Sequence, residues 1–98
     1  MWYADFQVKL RWARAATKHR VSRQRSQYVI EHCGLRLRVP PPVGQADERL
    51  IYLGDDSDGL ALEVMAVELG PDELYVIHAM PLRKQYRAQY EQAKRWRV

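Results

Sequence analysis

His78 ends a strongly β-forming run, Leu74-Tyr75-Val76-Ile77-His78-Ala79-Met80, and the cations Arg83, Lys84 and Arg87 follow it closely. An imidazole titrates near neutrality and moves protons, and a guanidinium stabilises charge that builds on phosphate oxygens. One imidazole and several cations brought to one end of a small sheet suit the handling of a phosphodiester. Lys18-His19-Arg20 offers a second imidazole between two cations. Each cluster also has a plainer reading. His78, placed by alternation on the same face as Leu74 and Val76, fits a half-buried strand histidine with a backbone partner. Lys18-His19-Arg20 fits a solvated corner between two helices. Tyr52, Tyr86 and Tyr90 could stack on bases or donate to phosphate, although Tyr86 and Tyr90 fall on an apolar stripe that reads as core. Arg49, at the start of a strand, is either a phosphate contact or a rim charge.

Other chemistries find little support. His19, His32 and His78 are far apart in sequence, no pair of them is spaced i, i+4, and Cys33 is the single cysteine, so no metal-ligand spacing is present. The Asp55–Gly59 cluster fails as a calcium loop, because Gly54 stands where the first ligand belongs and Met65 where the closing Glu belongs. Phosphate-cradling glycine motifs and the G-x-S-x-G elbow are absent. Cys33 cannot form an internal disulfide, reads as core filler, and fits a reducing compartment. No apolar run reaches membrane-spanning length, and the first residues lack the basic-then-apolar build of a signal peptide, so a cytoplasmic location is expected.

Charge is unevenly spread. The net +4 hides seven Lys or Arg in the first 26 residues against Asp5 alone, and six in the last 16 against Glu91 alone. The middle is acidic. If both ends fold to one side, they make a cationic face for RNA, DNA or an acidic protein; otherwise they are solvated surface.

The elements that position these residues follow from periodicity. At 98 residues the chain makes one domain, spanning 1–98. Phe6 to Trp12 alternates as a strand. Ala13 to Arg20 predicts one or two helical turns, and a second helix begins with Ser22 as N-cap and stops at Gly34. Leu35 to Val39 predicts an edge strand blunted by Pro40, Pro41 and Pro42, followed by a surface loop over about 40–48. Leu50 to Leu53, Leu60 to Leu69 and Leu74 to Ala79 form the rest of an antiparallel meander, with turns at Asp55–Gly59 and Gly70–Glu73. Pro81 fits the first turn of a closing helix with Leu82, Tyr86, Tyr90 and Ala93 inward. Trp2, Trp12 and Trp96 read as packing residues. The expected architecture is α+β: an antiparallel sheet of four to five strands, two helices in the N-terminal half and one at the C-terminus.

A family resemblance rests on three of these segments. Lys18-His19-Arg20-Val21-Ser22 opening a helix resembles the Lys-His-Gly-Val-Ser segment of BrnT-type toxins. Glu48-Arg49 leading into Ile51-Tyr52-Leu53-Gly54 is similar to their Glu-Arg strand with an aromatic and a terminal Gly. The final strand running into a basic, tyrosine-bearing helix occupies the place of their last strand and helix. The order β-α-α-β-β-β-β-α is similar to the wider RelE/ParE superfamily and to related actinobacterial domains of unassigned function. Two departures stand out: Arg20 replaces a Gly, and His78-Ala79-Met80 replaces the more usual Ser-Ala-Arg, leaving Arg83 as the nearest arginine. The resemblance implies a type II toxin, a metal-independent endoribonuclease without cofactors that cleaves mRNA and is silenced by a cognate antitoxin protein. For that chemistry the residues of this chain suggest His78 or His19 as acid/base, Arg83 and Lys18 as stabilisers of the phosphorane, and Arg49, Tyr52, Lys84 and Arg87 as RNA contacts. The alternative is a non-enzymatic partner-binding or nucleic-acid-binding module of the same fold.

Overall fold

The computed structural model describes residues 8–33 and 35–96. Trp2, the Phe6 start of the first strand, the Gly34 stop and the side chain of Trp96 lie outside the described residues. The chain is α+β. Strands β1 (Lys9–Trp12), β2 (Leu35–Val39), β3 (Arg49–Asp55), β4 (Ala61–Gly70) and β5 (Glu73–Pro81) form one sheet in the order β1-β5-β4-β3-β2. Helix α1 (Arg23–His32) precedes β2, and α2 (Arg87–Trp96) closes the chain.

Two expectations about this architecture are corrected. The sheet is mixed rather than antiparallel, because β1 runs parallel to β5, pairing Leu10 with Leu74 and Trp12 with Val76. Alternation sets which face a side chain takes but not the direction of a neighbouring strand. The first of the two expected N-terminal helices is a single 3-10 turn, Arg14–Thr17. Only Ala16 is buried there, too little apolar surface to hold a longer helix in place.

The other elements form where expected. Ser22 caps α1, its hydroxyl accepting from the Arg25 N–H at 3.2 Å. Gly59 takes φ +85° in the β3–β4 loop. Pro81, however, is the last residue of β5, and the closing segment starts later, with a 3-10 turn at Lys84–Tyr86 leading into α2. In β5 the Pro81 ring occupies a strand end, where a missing N–H removes little from the ladder.

Both faces of the sheet are covered, which explains why Leu50 through Gly54 are all buried despite their alternation. One face carries Leu50, Tyr52, Leu62, Val64, Ala66, Leu74, Val76 and Ala79 under Val29 of α1, Val21 and Ala16. The opposite face carries Ile51, Leu53 and Met65 under Leu82, Tyr86 and Tyr90. Tyr90 donates its hydroxyl to Asp55 at the end of β3, pinning α2 to the sheet. Burial and the Asp55 carboxylate together push that phenol up to about 12.

Arg20 takes φ +65° between the 3-10 turn and α1. Its backbone adopts the left-handed conformation a glycine accepts freely, and an L side chain there costs about 1–2 kcal/mol. Arg20→Gly is therefore expected to leave stability unchanged or raise it by up to about 1 kcal/mol, the relief being partly offset by a freer unfolded chain. Arg20→Val is expected to lose about 1–2 kcal/mol, since branching at Cβ tightens the same clash. Urea unfolding of the two variants checks the pair.

Candidate functional site

The site is built around a bulge. Met65 of β4 pairs with His78 and Ala66 with Val76, so Ile77 is an extra residue in β5. The extra residue reverses the alternation beyond it. His78 therefore does not share the face of Leu74 and Val76, as plain alternation predicts. It turns instead to the opposite face, with Glu63 and Met65, the face over which Tyr86 and Tyr90 pack.

On that face Glu63 lies at the middle of a polar cluster. Its side chain is 1% exposed, in the interior of the sheet. Oε1 accepts from the Arg83 backbone N–H at 2.9 Å. Oε2 accepts from Arg83 Nε at 2.8 Å, forms an ion pair with Arg83 Nη2 at 2.6 Å, and lies 3.3 Å from His78 Nε2. A carboxylate stripped of water survives only with such partners. Arg83 can reach because the chain is still extended there, at the entry to the second 3-10 turn. Its guanidinium also sits 5.7 Å from the centre of the Tyr86 ring.

His19 completes the cluster from the other end of the chain. β1 stops at Trp12, the Ala13 N–H donates to the Val76 carbonyl at 2.8 Å, and the Arg14–Thr17 turn packs along β5. The following residues bring the His19 ring edge-on to His78, with ring centres 5.6 Å apart. His19 is exposed, whereas the His78 side chain is 21% exposed. Burial is the main force that lowers the His78 pKa below its ordinary 6.5. The Glu63 carboxylate opposes the shift, and the charges of Arg83 and His19 add to it. Hydrogen bonding to Glu63 raises Arg83 above its ordinary value. Around neutral pH the site thus holds a neutral imidazole, an exposed second imidazole, a guanidinium and a buried carboxylate.

The residues singled out in the sequence divide accordingly. His78, Arg83 and His19 come together, and Lys18 is exposed on the same turn as His19. Lys84 and Arg87 are exposed beyond Arg83, at the entry to α2. Arg49 is elsewhere: it lies two strands away on β3, bonded to the Asp47 carbonyl and the Gln45 side chain. Tyr52 is corrected outright as an RNA contact. At 4% exposure it is packed into the core beneath α1, on the face opposite His78, with its pKa raised first by burial. A phenol enclosed there has no ring face to offer a base.

Sequence reasoning passed over Glu63, although a signal existed. It is the only charge in the run Leu62-Glu63-Val64-Met65-Ala66-Val67. A carboxylate inside a central strand must find a cation, and the next cation along the chain is Arg83.

Among the described residues no helix is long and apolar enough to cross a membrane. No family model, no curated protein and no solved structure matches this chain.

Proposed function

We propose that this chain is a metal-independent endoribonuclease of RelE-like build, a BrnT-like toxin that acts on mRNA in the cytoplasm and is neutralised by a cognate antitoxin. The observation that carries the reading is the meeting of His19 and His78, 5.6 Å apart, beside Arg83. Two imidazoles in edge-on contact supply both proton transfers of phosphodiester cleavage, and nearby cations supply the charge stabilisation.

In this scheme neutral His78 takes the proton of the RNA 2′-hydroxyl as that oxygen bonds to the adjacent phosphorus. The bond from phosphorus to the 5′-oxygen breaks, and His19, carrying a proton, gives it to the leaving oxygen. The products are a 2′,3′-cyclic phosphate and a free 5′-hydroxyl. Lys18 and the outer edge of Arg83 stabilise the phosphorane, and Lys84 and Arg87 hold the strand. Burial favours His78 as the acceptor, because it keeps the ring neutral near pH 7.

One observation favours a second reading, a non-enzymatic module that binds nucleic acid or an acidic partner: Glu63 already occupies Nε and Nη2 of Arg83. A single experiment separates the two. Purified protein is incubated with a single-stranded RNA in chelator, alongside the same strand with 2′-deoxyribose throughout. The enzyme reading expects cyclic phosphate ends from the ribose strand only. Intact RNA that is retained at low salt and released at high salt sinks it in favour of binding.

A further inference from the structure

Glu63 moves no proton in the ribonuclease scheme, yet its carboxylate touches both His78 and Arg83. We infer that Glu63 is the positioning residue of this site: one buried carboxylate fixes the imidazole of His78 and the guanidinium of Arg83 against each other, with His78 Nε2 turned inward and Nδ1 left to face the substrate. The inference rests on the ribonuclease reading for its consequence in catalysis, but the positioning itself is a property of the folded chain.

Three features distinguish this from an ordinary ion pair. Glu63 stands on a central strand and is 1% exposed, so its orientation is set by β4 and cannot drift. It holds the backbone N–H of Arg83 as well as two side-chain nitrogens, which fixes the chain at that residue and not only its flexible end. The bulge at Ile77 is what brings His78 round to the same carboxylate; without it the imidazole would lie on the opposite face. A carboxylate on one imidazole nitrogen selects the ring tautomer and leaves the other nitrogen as the proton acceptor.

The charged groups facing His78 are Glu63 from β4, Arg83 from the segment after β5 and His19 from the turn after the first 3-10 turn. Glu63 alone favours the protonated ring. Neutralising it should lower the proton affinity of His78, because Arg83 and His19 then act unopposed.

The test uses the full chain labelled with 15N-histidine and followed by NMR against pH, as wild type and as Glu63→Gln. Wild type is expected to show an Nε2–H proton of His78 sheltered from exchange. In Glu63→Gln that proton should be lost and the His78 midpoint should fall by about one pH unit, a tenfold drop in proton affinity. In RNA cleavage the same variant should lose kcat by roughly tenfold or more with KM little changed, the pattern of lost positioning rather than lost binding. A wild-type ring with Nδ1–H inward, or a His78 midpoint unmoved by the substitution, overturns the inference; the wild-type spectrum gives that answer even if the variant does not fold. Failure of the ribonuclease reading looks different: the His78 signals respond as expected, but wild type leaves RNA intact.

Discussion

His78→Ala is expected to slow RNA cleavage by about 10²–10⁴-fold, the usual contribution of a general acid or base. The fold should survive, because Glu63 keeps its two hydrogen bonds and its ion pair with Arg83, and the side chain removed is only partly buried. Circular dichroism and a melting curve establish that survival, and single-turnover cleavage of a short RNA measures the loss. The pH dependence makes the assignment sharper. A base works only when unprotonated, and the His78 pKa is lowered below 6.5, chiefly by burial. The ascending limb of kcat/KM should therefore have its midpoint below pH 6.5. His78→Gln, which cannot titrate, should abolish that limb along with most of the rate. His19→Ala should instead slow departure of the 5′-oxygen, since it takes away the proton donor. Cleavage by His78→Ala within about threefold of wild type would assign the chemistry to other groups, the substitution having removed far less than proton transfer supplies.

How far the site was legible depended on which physical rule governed each residue. The C-terminal segment was readable because spacing alone placed Leu82, Tyr86 and Tyr90 inward, where they pack against Ile51 and Leu53. Ser22 was readable because an N-cap is a local interaction, closed within three residues. The sequence also suggested cations from both halves gathering around one imidazole; the structure places the His19 ring 5.6 Å from that of His78, which Arg83 also faces. What failed was anything decided across the sheet. The face taken by His78 depends on one unpaired residue at Ile77, and a bulge leaves no mark on alternation that distinguishes it from a regular strand. The parallel pairing of β1 joins the start of the chain to its last strand, a long-range choice that local alternation does not encode. A base contact by Tyr52 needs a solvent-facing ring, and its apolar neighbours Ile51 and Leu53 point the other way; in a strand covered on both faces, the central positions have no solvent side. Glu63 carries no motif of its own; its signal is only that of a carboxylate among Leu, Val and Met.

Asp56→Ala is expected to cost about 3 kcal/mol, the loss typical of breaking a buried charged pair and orphaning its backbone partners. The side chain of Asp56 is fully buried at the head of the β3–β4 loop. Oδ1 accepts from the N–H groups of Asp58 and Leu60, both at 2.9 Å, and Oδ2 accepts from Arg25 Nε at 2.8 Å. For a domain of this size such a loss lowers the melting temperature by roughly 10–20 °C. Burial by itself pushes the Asp56 pKa up, but the Leu60 N–H, Arg25 and the Asp58 N–H together hold it below its ordinary 3.8. A lowered carboxyl pKa stabilises the fold above the unfolded value and ceases to do so as pH falls through the folded value. The stability gap between wild type and Asp56→Ala should accordingly be full at pH 5 and above and shrink below pH 3.8, which urea titrations at several pH values measure. A gap under about 1 kcal/mol at pH 7 would mean that the loop holds itself without this carboxylate. The consequence reaches the site, because Arg25 also donates to the Arg20 carbonyl at 3.3 Å. Asp56 thus secures, through Arg25, the turn on which His19 is carried. Loss of that anchor should weaken proton donation by His19 at temperatures well below the melting point, so Asp56→Ala is expected to lose cleavage activity before it loses secondary structure.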